Sequence, residues 1–160
     1  MIDLNASGQG LDGYDLLAAQ VQALFADERD FIANAAQFSA FLYNQVEDLN
    51  WAGFYINRNE ELVLGPFQGQ VACVRIPFGR GVCGAAAATR TTQRVEDVHA
   101  FPGHIACDSA SNSELVIPLV KAGRLIGVLD LDSPKLARFS EADQVGLERL
   151  VEVFLELTDC

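Results

Sequence analysis

Two groups of side chains in this 160-residue chain are equipped to do chemistry. The first is the thiols, Cys73, Cys83, Cys107 and Cys160. Cys107 lies in Pro102-Gly103-His104-Ile105-Ala106-Cys107-Asp108-Ser109, a run of turn formers and polar residues. A reactive cysteine needs access and a local field that favours thiolate. His104 is a candidate source of that field, and Asp108 works against it. Cys73 and Cys83 each admit two readings, a small buried packing residue or a redox partner. Cys160 is the last residue and reads as incidental. Zinc held by three thiols and a histidine is disfavoured by spacing. Nine residues separate Cys73 from Cys83, 23 separate Cys83 from Cys107, and there is no Cys-x-x-Cys knuckle.

The second group is carboxylate. Glu114 opens one candidate strand, and Asp130 and Asp132 close another. Strand side chains alternate faces, so Asp130 and Asp132 point the same way. A short hairpin at Lys121-Ala122-Gly123, read as a three-residue turn, sets Glu114 opposite one of them. Three acids drawn together cannot all ionise cheaply, so at least one is pushed to a raised pKa. Such an acid donates a proton at neutral pH, while an ionised neighbour holds an ammonium group or a cation. The plainer alternative is a solvated strand end. Trp51 and Tyr55, four apart on one strand, share a face and serve either as core or as the wall of an apolar subsite. Arg75, Arg80 and Arg90 read as surface pairing residues, and His99 as structural or exposed.

The elements that position these groups follow from periodicity. Tyr14, Leu17, Val21 and Leu24, then Phe31, Ala35, Phe38, Phe41 and Leu42, recur at helical spacing. The period then changes to that of strands: 51–57, 61–67 and 73–76, then a tight turn and small helix over 81–89, and a short strand over 93–95. A long loop over 97–113 carries both histidines and Cys107, and loops of that length are usually functional. Two hairpin strands, 114–120 and 124–130, precede a terminal helix with Ser140 as N-cap and Asp143 three residues on. Residues 1–12 read as a loosely packed extension, and 1–160 as a single domain. The order predicts an α+β domain, one mostly antiparallel sheet with helices on one face and a pocket on the other.

Composition narrows the function. Asp plus Glu total 22 against 11 Lys plus Arg, a net charge of −11. That argues against phosphate-tracking nucleic-acid binders and electrostatic membrane binders. No basic, apolar leader is visible and the apolar runs are strand-length, so a cytoplasmic protein is expected.

Six segments carry a resemblance. They are Asn50-Trp51-Ala52-Gly53-Phe54-Tyr55, Gly65-Pro66-Phe67-Gln68-Gly69, Gly81-Val82-Cys83-Gly84, 101–108, Ser113-Glu114-Leu115-Val116-Ile117-Pro118 and 127–133. In this order, from about Asn50 to Asp143, they resemble the free methionine-(R)-sulfoxide reductases, which are GAF-domain enzymes. Leu115 and Leu131 stand where the resemblance leads one to expect isoleucine. The resemblance implies a GAF-like fold with a six-stranded antiparallel sheet, helices packed on one face and a loop-covered pocket on the other. It implies reduction of the R epimer of free methionine sulfoxide without metal or organic cofactor. By carry-over, Cys107 is the nucleophile, Cys73 the resolving thiol and Cys83 a further redox cysteine. Glu114, Asp130 and Asp132 become the substrate-binding acids, and Trp51 and Tyr55 pocket wall; from its crowding by the two aspartates, Glu114 is the expected proton donor. Thioredoxin as reductant and a homodimer are implied too. The alternative is a GAF-type sensor that binds a small molecule without chemistry.

Overall fold

The computed structural model describes residues 11–104, 107 and 109–160. Its elements are α1 (Leu11–Leu24), α2 (Phe31–Gln45), β1 (Trp51–Asn57), β2 (Glu61–Gly69), β3 (Arg75–Pro77), α3 (Gly81–Thr89), β4 (Gln93–Val95), a 3-10 turn (Val98–Ala100), β5 (Ser113–Lys121), β6 (Arg124–Ser133) and α4 (Glu141–Glu156). Six strands form one sheet in the order β3-β2-β1-β6-β5-β4, every neighbouring pair antiparallel. The expectation for residues 1–10 lies outside the described residues.

Apolar residues at alternate strand positions divide the molecule into two layers. Ala52, Phe54, Leu115, Ile117, Leu119, Leu129 and Leu131 face α1, α2 and α4. The centre of that layer is aromatic: Phe38 of α2 stacks on Phe154 of α4 with centroids 5.2 Å apart, and both meet Phe54 of β1. The opposite face carries a smaller cluster of Trp51, Tyr55, Val116 and Val128, covered by α3 through Val82, Cys83, Ala86 and Ala87. The Gly- and Ala-rich composition of α3 lets that helix sit close on the strands. The helices therefore do not all lie on one face: the three long ones do, and the short one roofs the other.

Boundaries differ from the sequence reading where side chains replace the ladder. Residue 73 is not in a strand. The ladder of β3 runs only through Val63↔Arg75, Leu62↔Ile76 and Glu61↔Pro77, because the carbonyl of Cys73 is taken by Tyr55 Oη at 2.9 Å and that of Gln70 by Trp51 Nε1 at 3.1 Å. The hairpin turn is two residues rather than three. Lys121 pairs with Arg124, and Ala122 and Gly123 both have positive φ, as a type I′ turn requires.

Ser140 caps α4 reciprocally with Asp143. The Asp143 carboxylate also accepts from Tyr14 Oη at 2.8 Å and Arg138 Nη1 at 3.0 Å. This tie of α1 to α4 depends on Gly146, where a Cβ would overlap the Tyr14 ring. Helix propensity favours Ala over Gly by about 1 kcal/mol, so the clash opposes an intrinsic gain. We expect Gly146→Ala to lower stability by about 1–3 kcal/mol, read as a lower urea midpoint at unchanged slope. In a Tyr14→Ala background the same substitution should no longer destabilise; equal losses in both backgrounds would contradict the packing account.

Candidate active site

The register of three strands assembles the acids. Glu114 of β5 pairs with Asp132 of β6, which pairs with Trp51 of β1. Two residues along the same face, Val116 pairs with Asp130, and Asp130 with Gly53. Gly53 lies between Trp51 and Tyr55, and a Cβ there would strike Phe67. Without one, Phe67 stacks on Trp51 at 5.2 Å and Trp51 on Tyr55 at 5.8 Å. The result is a continuous aromatic floor beside the carboxylates.

These residues line a cavity with about 40 Å³ of room. Trp51, Tyr55, Cys83, Cys107, Glu114, Asp130 and Asp132 all border it. Glu114, Asp130 and Asp132 are nearly buried, at 7%, 5% and 9% exposure. Burial pushes the carboxyls of Glu114 and Asp130 well above the usual carboxylate range, and the charges of the neighbouring acids add to it. Asp130 Oδ1 has no hydrogen-bond partner among the described residues. A buried carboxylate oxygen left without a partner carries an unmet desolvation cost.

The cysteines separate into two roles. Cys73 and Cys107 form a disulfide with Cα atoms 5.4 Å apart. Cys83, on α3, is a free buried thiol 3.7 Å from Glu114 Oε2, to which it donates. Burial, followed by the charges of Asp130, Glu114 and Asp132, drives its pKa up, so it stays protonated. Cys83, Glu114 and Asp130 place a sulfur and two carboxylate oxygens within 4.8 Å of one another, so the acid cluster and the thiol are one unit. Cys160 is remote from them, in the groove near Arg124 and Asp159.

Other candidates fall less simply. His104 borders the cavity. Burial, then the proximity of His99, lowers its pKa, so it brings no fixed positive charge to a Cys107 thiolate at neutral pH. Asp108 lies outside the described residues. Arg75 pairs with Glu61 at 2.6 Å and Arg90 donates to the Gly123 carbonyl, as surface residues do. Arg80, read as a third surface residue, is exposed and also borders the cavity. It is the N-cap of α3 and offers no side-chain cap. Its signal was its place directly before Gly81-Val82-Cys83. Ser111 also borders the cavity and accepts from Asn50 Nδ2 at 3.1 Å.

Residues 32–154 match the GAF domain family model. The chain is 55% identical over 149 residues to the free methionine-R-sulfoxide reductase of Escherichia coli, covering 91% of this chain and 90% of that one. The chain belongs to the free methionine-R-sulfoxide reductase family of GAF domains. Among solved structures, the Neisseria meningitidis family member in complex with its substrate superposes with a TM-score of 0.92 at 46% identity, covering 98% of this chain and 95% of that one. The reduced form of the Staphylococcus aureus member superposes with a TM-score of 0.89 at 45% identity, covering 98% and 99%. Among the described residues, no helix is long and apolar enough to cross a membrane.

The buried acids make a stability prediction. A carboxyl whose folded pKa is raised contributes stability that is full below its unfolded value. That contribution falls as pH rises past the unfolded value and is gone once pH passes the folded value. For Asp130 the decline starts near its ordinary value of 3.8. We expect Asp130→Asn to be more stable than the wild type at neutral pH by about 0.5–2 kcal/mol, with a flatter loss of stability from pH 4 upward. Denaturant titrations across pH test this; a less stable variant at pH 7 would show that the carboxylate is supported rather than strained.

Proposed function

We propose that this chain reduces free L-methionine-(R)-sulfoxide to L-methionine by cysteine chemistry. The observation that carries the reading is that Cys107 and the buried, proton-retaining Glu114 and Asp130 border one cavity. A sulfoxide sulfur is a poor electrophile until its oxygen is protonated or strongly hydrogen-bonded. Glu114 donates that proton. The Cys107 thiolate attacks sulfur, forming an S–S bond as the protonated oxygen departs as hydroxide; hydroxide then adds to Cys107 Sγ, the S–S bond breaks, methionine leaves with its electron pair and Cys107 is left as a sulfenic acid. Cys73 condenses with it, releasing water and forming the disulfide. Cys83 acts as a neutral donor to Glu114 rather than as the partner of Cys107.

Recognition of a free amino acid follows from two charged ends. Asp130 and Asp132 hold the ammonium group. The first-turn N–H groups of α3, which carries no acidic residue there, hold the α-carboxylate together with Arg80. Trp51 and Tyr55 face the S-methyl end. Peptide bonds on both sides remove both charges, so methionine sulfoxide within a polypeptide is refused. Recycling by thioredoxin, a homodimeric assembly and a cytoplasmic location complete the proposal by likeness to the family.

Thioredoxin-coupled NADPH consumption with free L-methionine-(R)-sulfoxide tests the reading. The wild type should turn over and Cys107→Ser should not; tight binding without turnover would select the sensor instead. Glu114→Gln should lower kcat by about 10²-fold or more while KM stays within a few-fold. Equal losses in kcat and binding would remove Glu114 from the proton-donor role. N-acetylated methionine sulfoxide amide should not be reduced.

A further inference from the structure

Residues 70–74 connect β2 to β3 outside the sheet, since the β3 ladder begins at Arg75. The Val74 carbonyl at the end of this segment accepts from the Leu64 N–H at 2.8 Å. Two further anchors are side chains of β1. Trp51 Nε1 donates to the Gln70 carbonyl at 3.1 Å, and Tyr55 Oη to the Cys73 carbonyl at 2.9 Å. One half of the disulfide is therefore tied, through its own backbone, to the hydroxyl of a ring in the cavity floor.

That ring is itself fixed. Tyr55 is 2% exposed and stacks on Trp51 with centroids 5.8 Å apart, and Trp51 stacks on Phe67 at 5.2 Å. Burial, then the charges of Asp130, Cys83, Asp132 and Glu114, pushes the phenol far up, so the hydroxyl keeps its proton. A phenol has one proton to donate. With that proton given to the Cys73 carbonyl, Tyr55 offers the cavity a ring face and no acid. The Cys73 and Cys107 Cα atoms stand 5.4 Å apart, within the narrow range that a disulfide bridges.

We propose that Tyr55 is a positioning residue for the resolving step, its hydroxyl holding Cys73 where the sulfur meets the oxidised Cys107. This deepens the reductase reading and rests on it. In that step the Cys73 thiolate attacks Cys107 Sγ of the sulfenic acid. The S–S bond forms as the S–O bond breaks, and the departing hydroxide combines with the proton lost by Cys73 to give water. The hydroxyl touches no reacting atom. It raises the effective concentration of Cys73 at Cys107, and leaves cleavage of the sulfoxide to other groups.

Tyr55→Phe keeps the ring and removes the hydroxyl. The reduced full chain is mixed with one equivalent of free L-methionine-(R)-sulfoxide and no reductant. Methionine release is then compared with disulfide closure by acid quench and peptide mapping. The ratio of closure rate to release rate in Tyr55→Phe should fall about three- to tenfold below that of the wild type, and dimedone should trap more sulfenic acid on Cys107. Equal slowing of both steps, or of neither, overturns the proposal. A second measurement needs no sulfoxide. Equilibrated against a dithiothreitol redox buffer, the Cys73–Cys107 disulfide should be less favoured in Tyr55→Phe by the same factor; an unchanged equilibrium also overturns the proposal. A wild type that releases no methionine would sink the reductase reading, while the disulfide equilibrium still judges the hydroxyl.

Discussion

Carboxylates held out of water at the ends of neighbouring strands dominate the energetics of this molecule. Glu114 and Asp130 have less than a tenth of their surface exposed, and Asp132 about a tenth. Among the described residues no basic side chain forms an ion pair with Glu114 or Asp130, whereas Asp143 has Arg138 at 3.0 Å. The difference is instructive. Burial alone would raise the Asp143 carboxyl, but the Ser140 N–H, the Tyr14 and Ser140 hydroxyls and Arg138 outweigh it and hold the pKa below the usual range. Glu114 and Asp130 lack that compensation, so burial pushes their carboxyls up and favours the protonated form. One carboxyl is built for structure and the others for exchange with something that arrives.

That arrangement constrains the thiols. A thiol among carboxylates is held neutral, which is the state of Cys83. A nucleophile placed there would be inactive. Cys107 borders the same cavity from the long loop, away from the strands that carry the acids, and its disulfide partner comes from the β2–β3 connection, 34 residues earlier. Trp51 and Tyr55 serve both sides of the design: their rings pave the cavity and their polar atoms fix the backbone that holds Cys73.

Much of this was legible in the sequence because it rests on period two and on local turn chemistry. The strand 51–57 and the helix 81–89 fall where alternation and Gly-rich punctuation put them. The facing of Glu114 and Asp132 follows from the hairpin, and a turn one residue shorter than expected still set these two opposite each other. What could not be read was which non-local groups replace the ladder. The start of β3 moved from 73 to 75 because side chains of β1 claim the carbonyls before it. Arg80 looked like other surface arginines and is exposed like them; that it also borders the cavity is a tertiary fact that nothing local signals. The pairing of Cys107 came from likeness to a family rather than from spacing, because the proximity of two loops is a tertiary fact.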